Sequence, residues 1–130
     1  DLNGAGGDIL ERVRAFFEKK TTEAEQHGVN KNRLCFDPGI GFGKTNEENF
    51  ALIANPEKIR VPGTALLMAA SRKRAIGAVC GNPPFEDRMA GTVAAHTASV
   101  LFGADMVRAH DTFEAVQAAR VADAIKQFRK

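Results

Sequence analysis

Three short apolar runs constrain this chain most: each ends in charged or polar residues, and helical patterns separate them. The first run, Leu34, Cys35 and Phe36, leads into DPGIGFGKT at residues 37–45. The second, ALLMAA at residues 65–70, ends in Ser71, Arg72, Lys73 and Arg74. The third, residues 105–107, ends in Arg108, His110 and Asp111. Parallel α/β proteins carry their binding groups at the carboxyl ends of the strands. As neighbouring parallel strands, these runs would bring an acid, a lysine, an arginine and a histidine to one face. Gly39, Gly41 and Gly43 allow the backbone after the first run to turn tightly and approach a ligand.

The segments between the runs read as helices. Asp8 is an N-cap candidate, and Ile9, Leu10, Val13, Phe16 and Phe17 then recur at helical spacing, to a stop near His27 and Gly28. The first strand is expected over residues 33–37. Thr45 and Glu48 suit a capping box for a short helix carrying Phe50, Leu52 and Ile53, closed by Pro56. Pro62-Gly63 turns the chain into the second strand. A helical turn over residues 76–79 and a loop at Gly81-Asn82-Pro83-Pro84 precede a longer helix, expected over residues 85–102 and ended by Gly103. The third strand is expected over residues 105–109. Asp111 or Thr112 then caps a last helix, with Phe113, Val116, Ala119, Val121 and Ile125 on one side. This alternation predicts an α/β fold with parallel strands joined by right-handed crossovers. A closed barrel of this kind needs eight strands, so three imply part of something larger.

Composition excludes several classes. A net charge of +2, with no basic run beyond residues 72–74, argues against nucleic acid as a partner. No stretch approaches the roughly 20 apolar residues that span a bilayer, so no membrane partner is expected. The first ten residues lack a signal-peptide pattern. Cys35 and Cys80 form no close pair, which disfavours zinc and suits reduced thiols in a cytoplasmic protein.

Together, DPGIGFGKT, the SRKR at residues 71–74 and the RAHD at residues 108–111 resemble dihydropteroate synthase. The resemblance extends through the helix at residues 89–102 and the closing EAVQAARVADAI, and covers nearly all of the chain from about Asp8 onward. It implies the last three β/α units of a (β/α)8 TIM barrel, strands six to eight, with no counterpart of the first five. It also implies a transferase of folate biosynthesis. Such an enzyme condenses a dihydropterin methyl diphosphate with p-aminobenzoate, giving dihydropteroate and pyrophosphate, and is a sulfonamide target.

By this resemblance Asp37 accepts hydrogen bonds from the pterin, Lys73 donates to it, and Arg108 lies against its face. Arg108 and His110 hold the diphosphate, and Phe42 and Ser71 border the aminobenzoate pocket. Lys73, Arg108 and His110 would be the catalytic set, since cations stabilise charge building on the leaving group. Mg²⁺ is implied as cofactor, with its protein ligand outside this segment, and a homodimer is implied through the later helices. Two departures are Ala69-Ala70, where the family often has Gly-Met, and Ala109 in RAHD, where it commonly has valine.

Other readings compete. Asp37 before Pro38 could merely cap a turn. Lys73 could belong to a solvated basic turn, Arg108 could pair with Asp105 or Asp111, and His110 could be a neighbour of a helix cap. Phe42 could fold onto the core. His96 reads as packing and His27 as a helix-end cation. Gly43-Lys44-Thr45 matches the tail of a P-loop, but the required first glycine is Pro38. A pterin-dependent methyltransferase and a non-catalytic half-barrel that binds pterin or dimerises complete the alternatives.

Overall fold

The structure, a computed structural model, describes residues 7–130; the earliest residues used in the signal-peptide reading, 1–6, lie outside the described residues. The first helix, α1 (Ile9–Gln26), starts where Asp8 accepts a hydrogen bond from the Glu11 N–H at 2.9 Å. Its buried stripe is Ile9, Val13, Phe17 and Thr21, which is the expected helical spacing. After a 3-10 turn at Lys31–Arg33 comes β1 (Cys35–Phe36), shorter than the expected 33–37. Asn30 caps that turn through the Asn32 N–H and keeps Arg33 out of the strand.

The capping box forms as expected: Thr45 and Glu48 exchange hydrogen bonds of 2.8 and 3.1 Å at the start of α2 (Asn46–Ala54). Pro56 does more than close that helix. It stands at the first position of a further short helix, α3 (Pro56–Ile59), where its missing N–H costs nothing. The second strand, β2 (Ala65–Met68), is followed by α4 (Arg74–Val79). The long helix expected from residue 85 is two pieces, a 3-10 turn at Phe85–Asp87 and then α5 (Met89–Phe102). Gly103, at φ 118°, ends α5 as expected. Last come β3 (Met106–Val107), shorter than the expected 105–109, and α6 (Thr112–Gln127).

The strands form one parallel sheet in the order β1-β2-β3, with Phe36 beside Leu66 and Met68 beside Val107. That register sorts the side chains. Phe36, Leu66, Met68 and Val107 share the face turned to the helices, where Leu66 and Met68 are fully buried. Ile40, Leu52, Ile53, Ile59, Val13 and Phe17 complete that core, and Phe17 stacks on Phe36 at 4.6 Å between centroids. The opposite face carries Cys35, Ala65, Leu67 and Met106, none of them buried. In a closed barrel, side chains of the other strands fill that side.

The large apolar residues of the last helix, grouped on one side in the sequence, face away from the core. Ala115, Ala118 and Ala122 are its buried residues, packed on α5, while Phe113, Val116, Val121 and Ile125 are exposed. Close helix approach selects small side chains, and α5 also buries small ones, Thr92, Ala95 and Ser99. Asp111 precedes α6 but makes no side-chain cap bond. No helix among the described residues is long and apolar enough to cross a membrane.

Candidate functional site

Main-chain bonds extend the ladders to the strand ends: the Arg108 N–H donates to the Met68 carbonyl at 3.2 Å. Ser71, Lys73, Arg108 and His110 consequently line one cavity of about 60 Å³ with Ala69 and Ala109. Four of the six expected site residues are thus brought together.

Between β2 and α4 the chain makes a tight corner. Arg72 adopts a left-handed backbone (φ 54°), an uncommon conformation for a residue with a Cβ. Its guanidinium forks onto Asp111 at 2.9 and 2.8 Å, donates to the Phe85 carbonyl at 3.1 Å and lies over the Phe85 ring. The Arg72 N–H donates to Thr92 Oγ1 at 2.9 Å, and its carbonyl accepts from Arg88 at 3.0 Å. The corner is therefore clamped to α5, to the 81–88 loop and to the β3–α6 loop. That clamp turns Ser71 inward, where it is 5% exposed, and sets Lys73 as the residue before α4. Asp111 spends both oxygens on Arg72, whose hydrogen bond holds the carboxyl below the usual carboxylate range.

Lys73 is not a solvated turn cation. Its Nζ lies 4.5 Å from the centroid of Phe42, in cation–π contact, and its stem passes beside Gly41. Phe42 is 71% exposed, so it does not fold onto the core; it meets the site through Lys73 and is not among the cavity's lining residues. Asp37 also stands outside that lining, at the end of β1. One of its oxygens accepts the Gly39 N–H at 2.8 Å, the turn-capping bond, and its side chain remains exposed. Arg108 pairs with neither carboxylate considered for it: Asp105 is bound by Arg60 at 2.6 Å and Asp111 by Arg72. His110 meets Ser71, with Nδ1 2.7 Å from the hydroxyl oxygen.

Lys44 disposes of the P-loop reading. Its Nζ donates to the carbonyls of Gly39 and Phe42 at 2.8 and 3.1 Å, so it braces the glycine loop from within. Burial lowers its pKa, against the opposing pull of Glu48 and Asp37. Asn49 holds the same loop from α2, its buried side-chain oxygen accepting the Gly41 N–H at 2.9 Å. Among the described residues no three His, Cys, Asp or Glu side chains stand together as metal ligands.

The sequence pattern of the family described as "Pterin binding enzyme" matches residues 2–110. The chain belongs to the pterin-binding enzyme family. It is 37% identical to dihydropteroate synthase of Synechocystis sp. over 119 residues, which is 92% of this chain and 41% of that protein. It is 35% identical over 117 residues to dihydropteroate synthase of Escherichia coli, covering 90% and 41%. A structure of the Xanthomonas albilineans dihydropteroate synthase in complex with 7,8-dihydropteroate superposes with a TM-score of 0.89 at 36% identity, over 98% of this chain and 48% of that one. Another, of the same enzyme with 4-aminobenzoic acid, gives 0.88 at 36% identity, over 97% and 46%. The chain spans somewhat under half the length of the relatives it matches.

As a member of the pterin-binding family the chain has the expected fold, part of a TIM barrel with parallel strands alternating with helices. The motif residues of the two later strand ends meet in its cavity. Thr92, Arg88, Asn49 and the role of Asp111 as the partner of Arg72 escaped the sequence reading. For Asn49 the signal is a polar residue at a core-facing helix position, three residues before Leu52; the other three are recognisable only from their partners across the fold.

Proposed function

We propose that this chain supplies the later strands of a dihydropteroate synthase, which condenses dihydropterin methyl diphosphate with p-aminobenzoate and releases pyrophosphate. The observation that carries the proposal is one cavity lined by Lys73, Arg108 and His110 at the carboxyl end of a parallel sheet. Its volume, about 60 Å³, suits a phosphoryl group and falls far below the roughly 300–1,000 Å³ of whole small-molecule sites. A pterin and an aminobenzoate would therefore extend onto Asp37, Phe42 and the uncovered sheet face, against strands contributed by another segment. The segment alone would be inactive on this reading.

Arg108 and His110 would hold the diphosphate and stabilise the charge that builds on it as the C–O bond breaks. Lys73, oriented by the Phe42 ring, would donate to the pterin, and Asp37 would accept from its N–H groups with its free carboxylate oxygen. The aminobenzoate, with sulfonamides as its competitors, would lie near Phe42 and Ser71. Mg²⁺ belongs to the proposal only through the resemblance. No ligand cluster for it stands among the described residues, and no step here runs through a metal. A cytoplasmic setting is consistent with Cys35 and Cys80 being unpaired. The apolar crevice formed by Phe50, Ile76, Val79, Gly91 and Ala98 supports a homodimer through the later helices.

A fluorescence titration of dihydropterin methyl diphosphate tests the reading, with the chain and the complementary barrel half supplied together. Saturable binding that Lys73→Ala weakens by about tenfold or more is expected, the scale of one charge-assisted hydrogen bond. Equal binding by both proteins would remove Lys73 from the site and the assignment with it.

A further inference from the structure

Ser71 and His110 sit on different strand ends, and two contacts join them. The His110 main-chain N–H donates to Ser71 Oγ at 3.1 Å, and Ser71 Oγ lies 2.7 Å from His110 Nδ1. The first contact has only one possible direction, because an amide N–H cannot accept. The second could run either way. If Nδ1 carried a proton, Ser71 Oγ would accept twice from the same residue, and its own O–H would need another acceptor. Ser71 is 5% exposed, and no other acceptor for its hydroxyl is found among the described residues. A buried hydroxyl proton without a partner carries a full desolvation penalty. Donation from the hydroxyl to Nδ1, with the ring proton on Nε2, is the arrangement that pairs both the hydroxyl proton and Nδ1 within the protein.

Nothing nearby takes that Nε2–H away. Asp111, the adjacent carboxylate, has both oxygens on Arg72. The imidazole also meets the Phe85 ring in a T-shaped contact, 5.4 Å between centroids. Nε2 itself has no hydrogen-bond partner among the described residues, and His110 lines the cavity with Lys73 and Arg108.

We infer that Ser71 is a positioning residue that holds His110 in a single tautomer, with Nδ1 bare and Nε2–H presented as a neutral donor beside the two cations of the cavity. The use of that donor, to bind a pyrophosphate oxygen, rests on the diphosphate reading above; the tautomer does not. Ser71 then serves the site through His110, and its hydroxyl is not free for the aminobenzoate.

Long-range ¹H–¹⁵N correlation spectra of the ¹⁵N-histidine-labelled chain test this, recorded well above the ordinary imidazole pKa of about 6.5. His110→Gln assigns the signals. The expected pattern is an unprotonated Nδ1 and a protonated Nε2 in the wild type and in Ser71→Thr, which keeps the hydroxyl. Ser71→Ala should give a mixture of tautomers. A wild-type His110 protonated at Nδ1 overturns the inference, and that result needs no variant to fold. So does a pattern unchanged in Ser71→Ala, once its backbone spectrum shows a folded chain. Titration with inorganic pyrophosphate separates the two claims. A drop of roughly tenfold in Ser71→Ala, the size of one hydrogen bond to a charged group, supports both. Unchanged affinity beside a released tautomer leaves the Ser71–His110 lock standing and counts against the diphosphate reading alone.

Discussion

Lys73 lies over the Phe42 ring, whereas Arg72, one residue earlier, is turned away by its left-handed backbone and forked onto Asp111. The two cations are neighbours in sequence and do different work. Arg72 is the brace that lets Ser71 and Lys73 face the cavity. Its partner Asp111 has a lowered pKa, chiefly from the Arg72 hydrogen bond. A carboxyl lowered in the folded state contributes its stability in full above its ordinary value of 3.8, and loses it as pH falls through the folded value. Asp111→Asn should thus lower Tm at neutral pH and reduce the further loss of stability below pH 3.8. Thermal melts of both proteins across that range check it. Equal Tm values at neutral pH would show that the fork holds nothing together.

Among the elements, the α4–α5 pair has the least tolerance. A Cβ added at Gly91 of α5 would come within 2.6 Å of Ile76 Cγ2 and 3.3 Å of Cys80 Sγ. Ile76 is buried and branched at Cβ, so it cannot give way without moving α4. Gly91→Ala is therefore expected to destabilise by about 1–3 kcal/mol, the usual cost of overpacking, despite alanine's better helix propensity. Urea unfolding measures this, and a stabilised variant would mean that the helices slide apart freely. Element positions were largely readable from local pattern. Asp8 before an apolar stripe and the Thr45–Glu48 box each involve groups within a few residues of one another. The face of α6 was not readable that way. The sequence grouped its large apolar residues on one side without saying which way that side points, and in the fold it is Ala115, Ala118 and Ala122 that are buried.

At the scale of the whole molecule, His96 couples stability to pH. It is 2% exposed within α5, and its Nδ1 has no hydrogen-bond partner among the described residues. Burial lowers its pKa from 6.5, with Asp111 opposing. A histidine lowered in the folded state takes up its proton more readily when unfolded, so stability falls as pH drops from 6.5 toward the folded value. His96→Leu should flatten the pH dependence of Tm in the window just below pH 6.5; an unchanged slope there would place its cause elsewhere. The bland reading of His96 as packing was right about its burial and silent about this consequence. Across the whole chain, the alternation of the main helices and strands, the parallel α/β class and the strand-end clusters were legible in the residues alone. Those depend on periodicity and on residues adjacent in the chain. Packing across the fold decided the rest: the Arg72–Asp111 fork and the Ser71–His110 pair each join groups 39 residues apart, and both exist only because β2 and β3 pair in one register. A shift of that register by one residue would turn every strand side chain to the other face and separate the pair.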